Sequence, residues 1–120
     1  MAENENIDNI LSNQSITKRA SEKWDKKSPI EKMHSSSKYK HIFVKHNLPS
    51  TDWLNSFSRL NKFQRNILIK GELIRTYDAL ANREKTFIKK KFGLSNFATK
   101  WFKLSPRDKK ILLNSILNNE

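Results

Sequence analysis

The chain has 120 residues, with 24 Lys and Arg against 12 Asp and Glu and a formal net charge of +12. It has no cysteine, which excludes disulfides, thiolate zinc sites and cysteine nucleophiles, and no run nears the roughly 18 apolar residues of a membrane span. An apolar content of 36% suffices for one modest core, and the cation surplus points to a polyanionic partner, nucleic acid first among those inside a cell.

Two glycines, three prolines and scattered β-branched residues argue against sheets with tight turns. The reading is all-α, with five to seven short helices. Residues 1–14 form an acidic N-terminal segment of net charge −3, in which Asn4 to Asn13 could wind a short helix with Ile7, Ile10 and Leu11 on one face. That segment has no basic residue, unlike a signal or transit peptide, so the expected setting is inside the cell, the nucleus first and a mitochondrion or virus next. A first helical unit follows over 15–48. Ser15 or Thr17 starts a helix carrying Ala20 and Trp24. Ser28 caps the next, which continues through an interruption at Ser35-Ser36-Ser37 to Lys45, with Tyr39, Ile42 and Phe43 as its stripe. Asn47-Leu48-Pro49 breaks the chain.

Residues 49–82 are connecting helices. Ser50 caps Thr51 to Phe57, with Trp53, Leu54 and Phe57 at helical spacing, and Ser58 opens a long helix to Ala81. Gly71 inside it costs about 1 kcal/mol against Ala, which predicts a kink or a close helix contact. The second helical unit spans 83–120. Arg83 to Lys91 is a basic helix with Phe87 and Ile88 inward, stopped by Gly93 in the left-handed conformation. Ser95 caps a short helix bearing Phe97, Ala98, Trp101 and Phe102, and Ser105 caps the last, with Ile111, Leu112, Ser115 and Ile116 along one side.

The charge is uneven. Residues 16–46 are net +6, 47–82 net +2 and 83–110 net +8. Both basic stretches contain one motif: Lys23-Trp24-x-Lys26-x-Ser28-Pro29-x-Glu31-Lys32 returns 77 residues later as Lys100-Trp101-x-Lys103-x-Ser105-Pro106-x-Asp108-Lys109. The Ser accepts from a backbone N–H of the first turn, Pro lacks the N–H that would go unpaired, and the acid bonds back to the Ser N–H. The spacing predicts an internal duplication. A fainter copy lies between, at Trp53, Phe57-Ser58 and Asn61-Lys62.

A helix, a second helix ending in Trp, then Leu-Ser-Pro and a third helix opening with acid-Lys resembles the high-mobility-group (HMG) box. The resemblance is best over 77–118, where Lys100 to Lys109 looks like that family's join of helix 2 to helix 3, and the motif at 23–32 looks like the same join in an earlier box. It implies L-shaped three-helix units that grip and widen the DNA minor groove and bend the duplex, with Lys and Arg on the phosphates. No residue here is assigned to the family's wedge positions.

The candidate nucleic-acid contacts are Lys23, Lys26, Lys27 and Lys32 in the first basic stretch and Lys89, Lys90, Lys91, Lys100, Lys103, Arg107, Lys109 and Lys110 in the second, where 85–107 hold no acid. Trp24, Trp53 and Trp101 have apolar neighbours at helical spacing and read as core rather than as stacking platforms for bases. His34, His41 and His46 lack acids or thiols at ligand spacing, so no metal is expected. No paired-carboxylate signature, glycine-rich phosphate loop or nucleophile elbow is present, so neither an enzyme nor a cofactor is expected. The expected function is non-enzymatic, largely sequence-tolerant nucleic-acid binding, duplex DNA first and with bending. The alternatives are an RNA-binding component of a ribonucleoprotein and a helical protein binding acidic protein partners. Nucleic-acid binding expects the lysines on one concave side, whereas a soluble bundle expects them all round.

Overall fold

The computed structural model describes residues 10–39, 41, 45 and 53–117. These residues are 76% helical and contain no strand. In chain order they form α1 (Asn13–Asp25), α2 (Pro29–Ser37), a 3-10 turn at Phe57–Arg59, α3 (Lys62–Ala79), α4 (Asn82–Phe92), a second 3-10 turn at Trp101–Lys103 and α5 (Pro106–Leu117). Most of the expected acidic helix, Ile42 and Phe43, the break at Asn47-Leu48-Pro49, the Ser50 cap and His46 lie outside the described residues.

Three helices bury ladders at i, i+4 and i+8, the spacing that keeps side chains on one face. They are Ile16, Ala20 and Trp24 on α1, Ile69, Leu73 and Tyr77 on α3, and Asp108, Leu112 and Ile116 on α5. One apolar cluster, running from Leu11 to Ile116, draws on these ladders, on Ile88 of α4 and on both 3-10 turns. The Asn13 side-chain amide donates to the Ile116 carbonyl and ties the start of α1 to the end of α5. α2 buries no residue, and its Ile30 and Met33 are exposed.

The helix starts are set locally. Ser12, rather than Ser15 or Thr17, caps α1 by accepting from Ser15 N at 3.1 Å. Ser28 and Glu31 form a reciprocal capping box, with Glu31 N to Ser28 Oγ at 3.2 Å and Ser28 N to Glu31 Oε1 at 3.4 Å. Asn61 and Gln64 do the same for α3 at 2.9 and 3.0 Å, so the long helix opens three residues later than expected. Ser105 caps α5, accepting from Asp108 N at 3.1 Å. Gly93 ends α4 at φ 66°, the left-handed position that glycine takes without a Cβ clash, and Leu94 N closes the turn onto Lys89 O. At Gly71 α3 continues unbroken. A Cβ there would meet only the Tyr39 hydroxyl at 4.0 Å, so no close helix contact requires glycine.

Two expected helices are absent. Residues 53–59 and 95–103 wind as irregular chain and 3-10 turns, and carboxylates from other segments accept their backbone N–H groups. Asp25 Oδ1 accepts Phe57 N at 2.8 Å, Asp78 Oδ1 accepts Trp101 N at 2.7 Å, and Asp108 accepts Ser95 N at 3.0 Å from both carboxylate oxygens.

These joints also correct the duplication. Trp24 ends a 13-residue helix, whereas Trp101 opens a 3-10 turn, so the two copies 77 residues apart hold different places. The local geometry repeats instead at 53 and 44 residues. Trp24-Asp25, Ser28, Glu31 and Lys32 match Tyr77-Asp78, Ala81, Glu84 and Lys85. Each glutamate accepts from the backbone N–H three residues before it, and each lysine lies over its ring, at 5.8 Å for Lys32 on Trp24 and 5.6 Å for Lys85 on Tyr77. Phe57, Leu60, Asn61 and Gln64 match Trp101, Leu104, Ser105 and Asp108, so the segment of the fainter copy is the counterpart of the second in another register, with Phe57 rather than Trp53 at the place of Trp101 and Asn61 rather than Ser58 as the cap. α3 closes the first half and opens the second.

Candidate nucleic-acid interface

The tryptophans are core. Trp24, Trp53 and Trp101 are 1%, 0% and 5% exposed. Trp24 Nε1 donates to Asn55 O at 3.0 Å, its ring meets Trp53 edge-on at 5.5 Å, and Tyr39 stacks on Trp53 at 5.4 Å. Trp101 meets Tyr77 edge-on at 5.9 Å. Their burial leaves no platform for bases.

The fold places five of the twelve candidate cations in two clefts. The first lies between α1 and α3, lined by Lys23, Lys26, Lys27 and Arg75, with Ala20, Trp24 and Leu68 as its apolar wall and Glu31 and Glu72 as its acids. Glu72 is the centre of a cluster. It is 4% exposed and takes Lys23 Nζ at 2.9 Å, Arg19 Nε at 3.3 Å and Arg75 Nη1 at 3.5 Å. The second cleft lies between α3 and α5, where Lys70, Lys109 and Lys110 rim a floor of Ile74, Trp101, Pro106 and Leu113, and none of these lining residues is acidic.

The clefts do not share a side. At about 100° per residue, Leu68, Glu72 and Arg75 fall within roughly 60° of one another on α3, and Lys70 and Ile74 centre on the order of 150° away. The single concave basic face is therefore replaced by two cationic flanks on the central helix.

The remaining candidates are dispersed. Lys32 is half-buried over Trp24. Lys89, Lys90 and Lys91 occupy the last turn of α4, with Lys90 and Lys91 exposed and Lys91 over the Phe92 ring at 5.5 Å. Lys100 and Lys103 are exposed beside the second 3-10 turn. Arg107 is engaged within the protein: its Nη1 donates to Ser95 Oγ at 2.8 Å and to Asp108 Oδ1 at 3.2 Å, which makes it part of the joint that holds residues 95–96.

Sequence reasoning passed over Arg19, Lys70, Glu72, Arg75 and Lys85. Lys85 is 4% exposed and donates its Nζ to Thr99 O, so one cation of the most basic segment is internal. Glu72 carried a readable signal, a lone acid beside the Ile69–Leu73 ladder of a buried face. Arg19 and Arg75 had none, because their meeting depends on how α1 crosses α3.

Two groups are shifted from their ordinary ionisation. Burial alone would raise the Asp108 carboxyl, but the N–H groups of Ser95 and Asn96, the Ser95 hydroxyl and the Arg107 guanidinium outweigh it and hold the group below the usual aspartate range. Burial, then the charges of Asp78 and Asp108, push the Tyr77 phenol up, and its hydroxyl donates to Ala98 O at 2.8 Å. Both serve the joints between helices rather than an open cleft. Among the described residues no group of three or more His, Asp or Glu could hold a metal ion, and no helix is long and apolar enough to cross a membrane. The chain matches no protein-family model, no curated protein and no solved structure.

Proposed function

We propose that the protein is a non-enzymatic, largely sequence-tolerant nucleic-acid-binding protein with duplex DNA as its first partner. One observation carries the reading: the fold draws together cations from distant parts of the chain, outnumbering the acids beside them, on both flanks of α3. Lys70 meets Lys109 and Lys110 in a cleft with no lining carboxylate, and on the other flank Arg19, Lys23 and Arg75 share one. Assembling like charges costs free energy unless a counter-charge arrives, and a phosphate backbone supplies a row of them. Exposed Lys90, Lys91, Lys100 and Lys103 extend the same field. A duplex that touched both flanks would have to curve round α3, which gives bending a geometric motive beside the HMG-box resemblance.

A second reading has one specific observation behind it. The cleft between α3 and α5 has an apolar floor as well as a lysine rim, the combination that suits an acidic amphipathic helix of another protein. Fluorescence anisotropy with labelled duplex DNA, single-stranded DNA and RNA at two salt concentrations tests both. Nucleic-acid binding predicts saturable binding that weakens steeply with salt, tightest for duplex DNA. RNA bound more tightly than duplex DNA moves the protein to the ribonucleoprotein alternative. Absence of binding to all three at low salt leaves the acidic-protein reading standing.

A further inference from the structure

Glu72 is an unusual ion-pair centre because the numbers do not balance. Its Oε1 faces Arg19 Nε at 3.3 Å and accepts from Thr76 Oγ1 at 3.5 Å, while its Oε2 faces Lys23 Nζ at 2.9 Å and Arg75 Nη1 at 3.5 Å. Arg19 also donates through Nη2 to the Ile10 carbonyl, which ties the guanidinium down at a second donor. One carboxylate thus holds three cations and leaves a local surplus of two positive charges. One partner would have been enough to compensate the buried carboxylate, and each further cation adds repulsion.

The burial is graded in a telling direction. The carboxylate side chain is 4% exposed, whereas those of Arg19, Lys23 and Arg75 are 33%, 48% and 66% exposed. The acid faces the protein and the cations face water. An ammonium has three donors and a guanidinium five, so Lys23 and Arg75 have donors to spare beyond the bonds to Glu72. Lys26 and Lys27 continue the cationic wall along the same cleft. A hidden acid that holds exposed cations at fixed positions removes the rotamer freedom that free lysine and arginine side chains lose on binding an anion.

We propose that Arg19, Lys23 and Arg75 form a seat for a backbone phosphodiester of the bound nucleic acid, with Glu72 as its positioning residue. The proposal rests on the nucleic-acid reading above and adds to it a specific place and a role for an acid. Arginine forks suit two phosphate oxygens, and the α1–α3 cleft is open to a polymer passing over it.

Glu72→Gln separates the seat from bulk charge, because the two predict opposite signs. Removing one negative charge raises the net charge by one, so a purely electrostatic surface should bind duplex DNA more tightly. A seat that has lost its organiser should bind about fivefold or more weakly, with the slope of log K against log salt reduced by about 0.9 for each phosphate no longer neutralised. Arg75→Gln, the most exposed of the three, gives a second reading in a protein whose core is untouched. It should weaken binding likewise, and the double variant should show little further loss. The proposal is overturned if Glu72→Gln, shown to be folded by its melt, binds as tightly as the parent or more so, or if Arg75→Gln leaves affinity and salt slope unchanged. Inorganic phosphate at constant ionic strength should displace the duplex better than chloride does in the parent and lose that advantage in Glu72→Gln; an advantage unchanged in Glu72→Gln would overturn the seat. A parent that binds no nucleic acid removes the functional reading together with the seat, whereas a parent that binds while both variants behave as parent removes the seat alone.

Discussion

The Asp78 carboxylate accepts the backbone N–H of Trp101 at 2.7 Å, 23 residues along the chain, and Asp25 does the same for Phe57 at 2.8 Å. Each acid stands at the end of a helix, beside a large buried ring, and each receiving residue opens a 3-10 turn that leads into the next capped helix. The paired joints hold the two halves of the molecule in the same local geometry. They also fix Trp101, the floor of the lysine-rimmed cleft, against Tyr77.

Asp78→Ala should therefore destabilise the protein by about 1–3 kcal/mol, because it leaves the Trp101 N–H without its acceptor. Asp25 is exposed at the corresponding place, where water can replace part of the bond, so Asp25→Ala should cost less. Urea melts of the two variants check the order. Equal losses would mean that the joints are not distinguished by solvent access.

The two serine caps should differ as well. Ser105→Ala removes the cap of α5, which buries Asp108, Leu112 and Ile116, and should lower stability by about 1 kcal/mol. Ser28 caps α2, which buries nothing, so Ser28→Ala should fray that helix locally and move the global midpoint less. Amide hydrogen exchange over 29–37 reads the first effect of Ser28→Ala, and a thermal melt reads the second.

Asp108 gives stability a defined acid limb. Its folded pKa lies below the unfolded value of about 3.9, so its contribution is fully present above that value and is lost as pH falls through it toward the folded pKa. Denaturant midpoints from pH 7 to pH 2 should drop below about pH 4 in the parent. Asp108→Asn should start lower at neutral pH and show a shallower acid loss. Tyr77 works in the other direction: its pKa is raised, so its contribution holds below about pH 10 and is lost as pH rises through the folded value, a limb that Tyr77→Phe should remove.

Charge and packing separate at the second cleft. Replacing Lys70, Lys109 and Lys110 by Gln should leave the melting midpoint nearly unchanged, because their heads line an open cleft, and should reduce the salt slope by up to about 0.9 for each phosphate that goes unpaired. Lys89, Lys90 and Lys91 changed together to Gln should also weaken binding, through the field of an exposed helix end. Trp101→Ala is the opposite case, costing about 3–5 kcal/mol and lowering binding only through unfolding. A triple variant of the cleft that binds duplex DNA with the parent's salt slope would remove that flank from the interface.

Much of the architecture was legible in the chain. The helical spacing of Ala20 with Trp24 and of Leu112 with Ile116, the Ser28 and Ser105 caps, the Gly93 stop and the burial of the three tryptophans all follow from period and cap chemistry, which act over a few residues. The same locality misled the comparison of motifs. Ser-Pro-x-acid marks the start of a capped helix wherever one occurs, so its recurrence at 23–32 and 100–109 reported two helix starts and not two equivalent places. Tertiary structure decided the rest through contacts between residues far apart in sequence. Carboxylates of Asp25, Asp78 and Asp108 accept backbone N–H groups of the two stretches that are 3-10 turns and irregular chain where helices were expected. Glu72 drew in Arg19 and Lys23 from 53 and 49 residues away, Lys85 was taken inside, and the lysines expected on one side were spread over two flanks of α3 and dispersed positions elsewhere. Net charge is a sum over residues and can be read from composition; which charges face the same cleft depends on how helices cross, and that is fixed by packing.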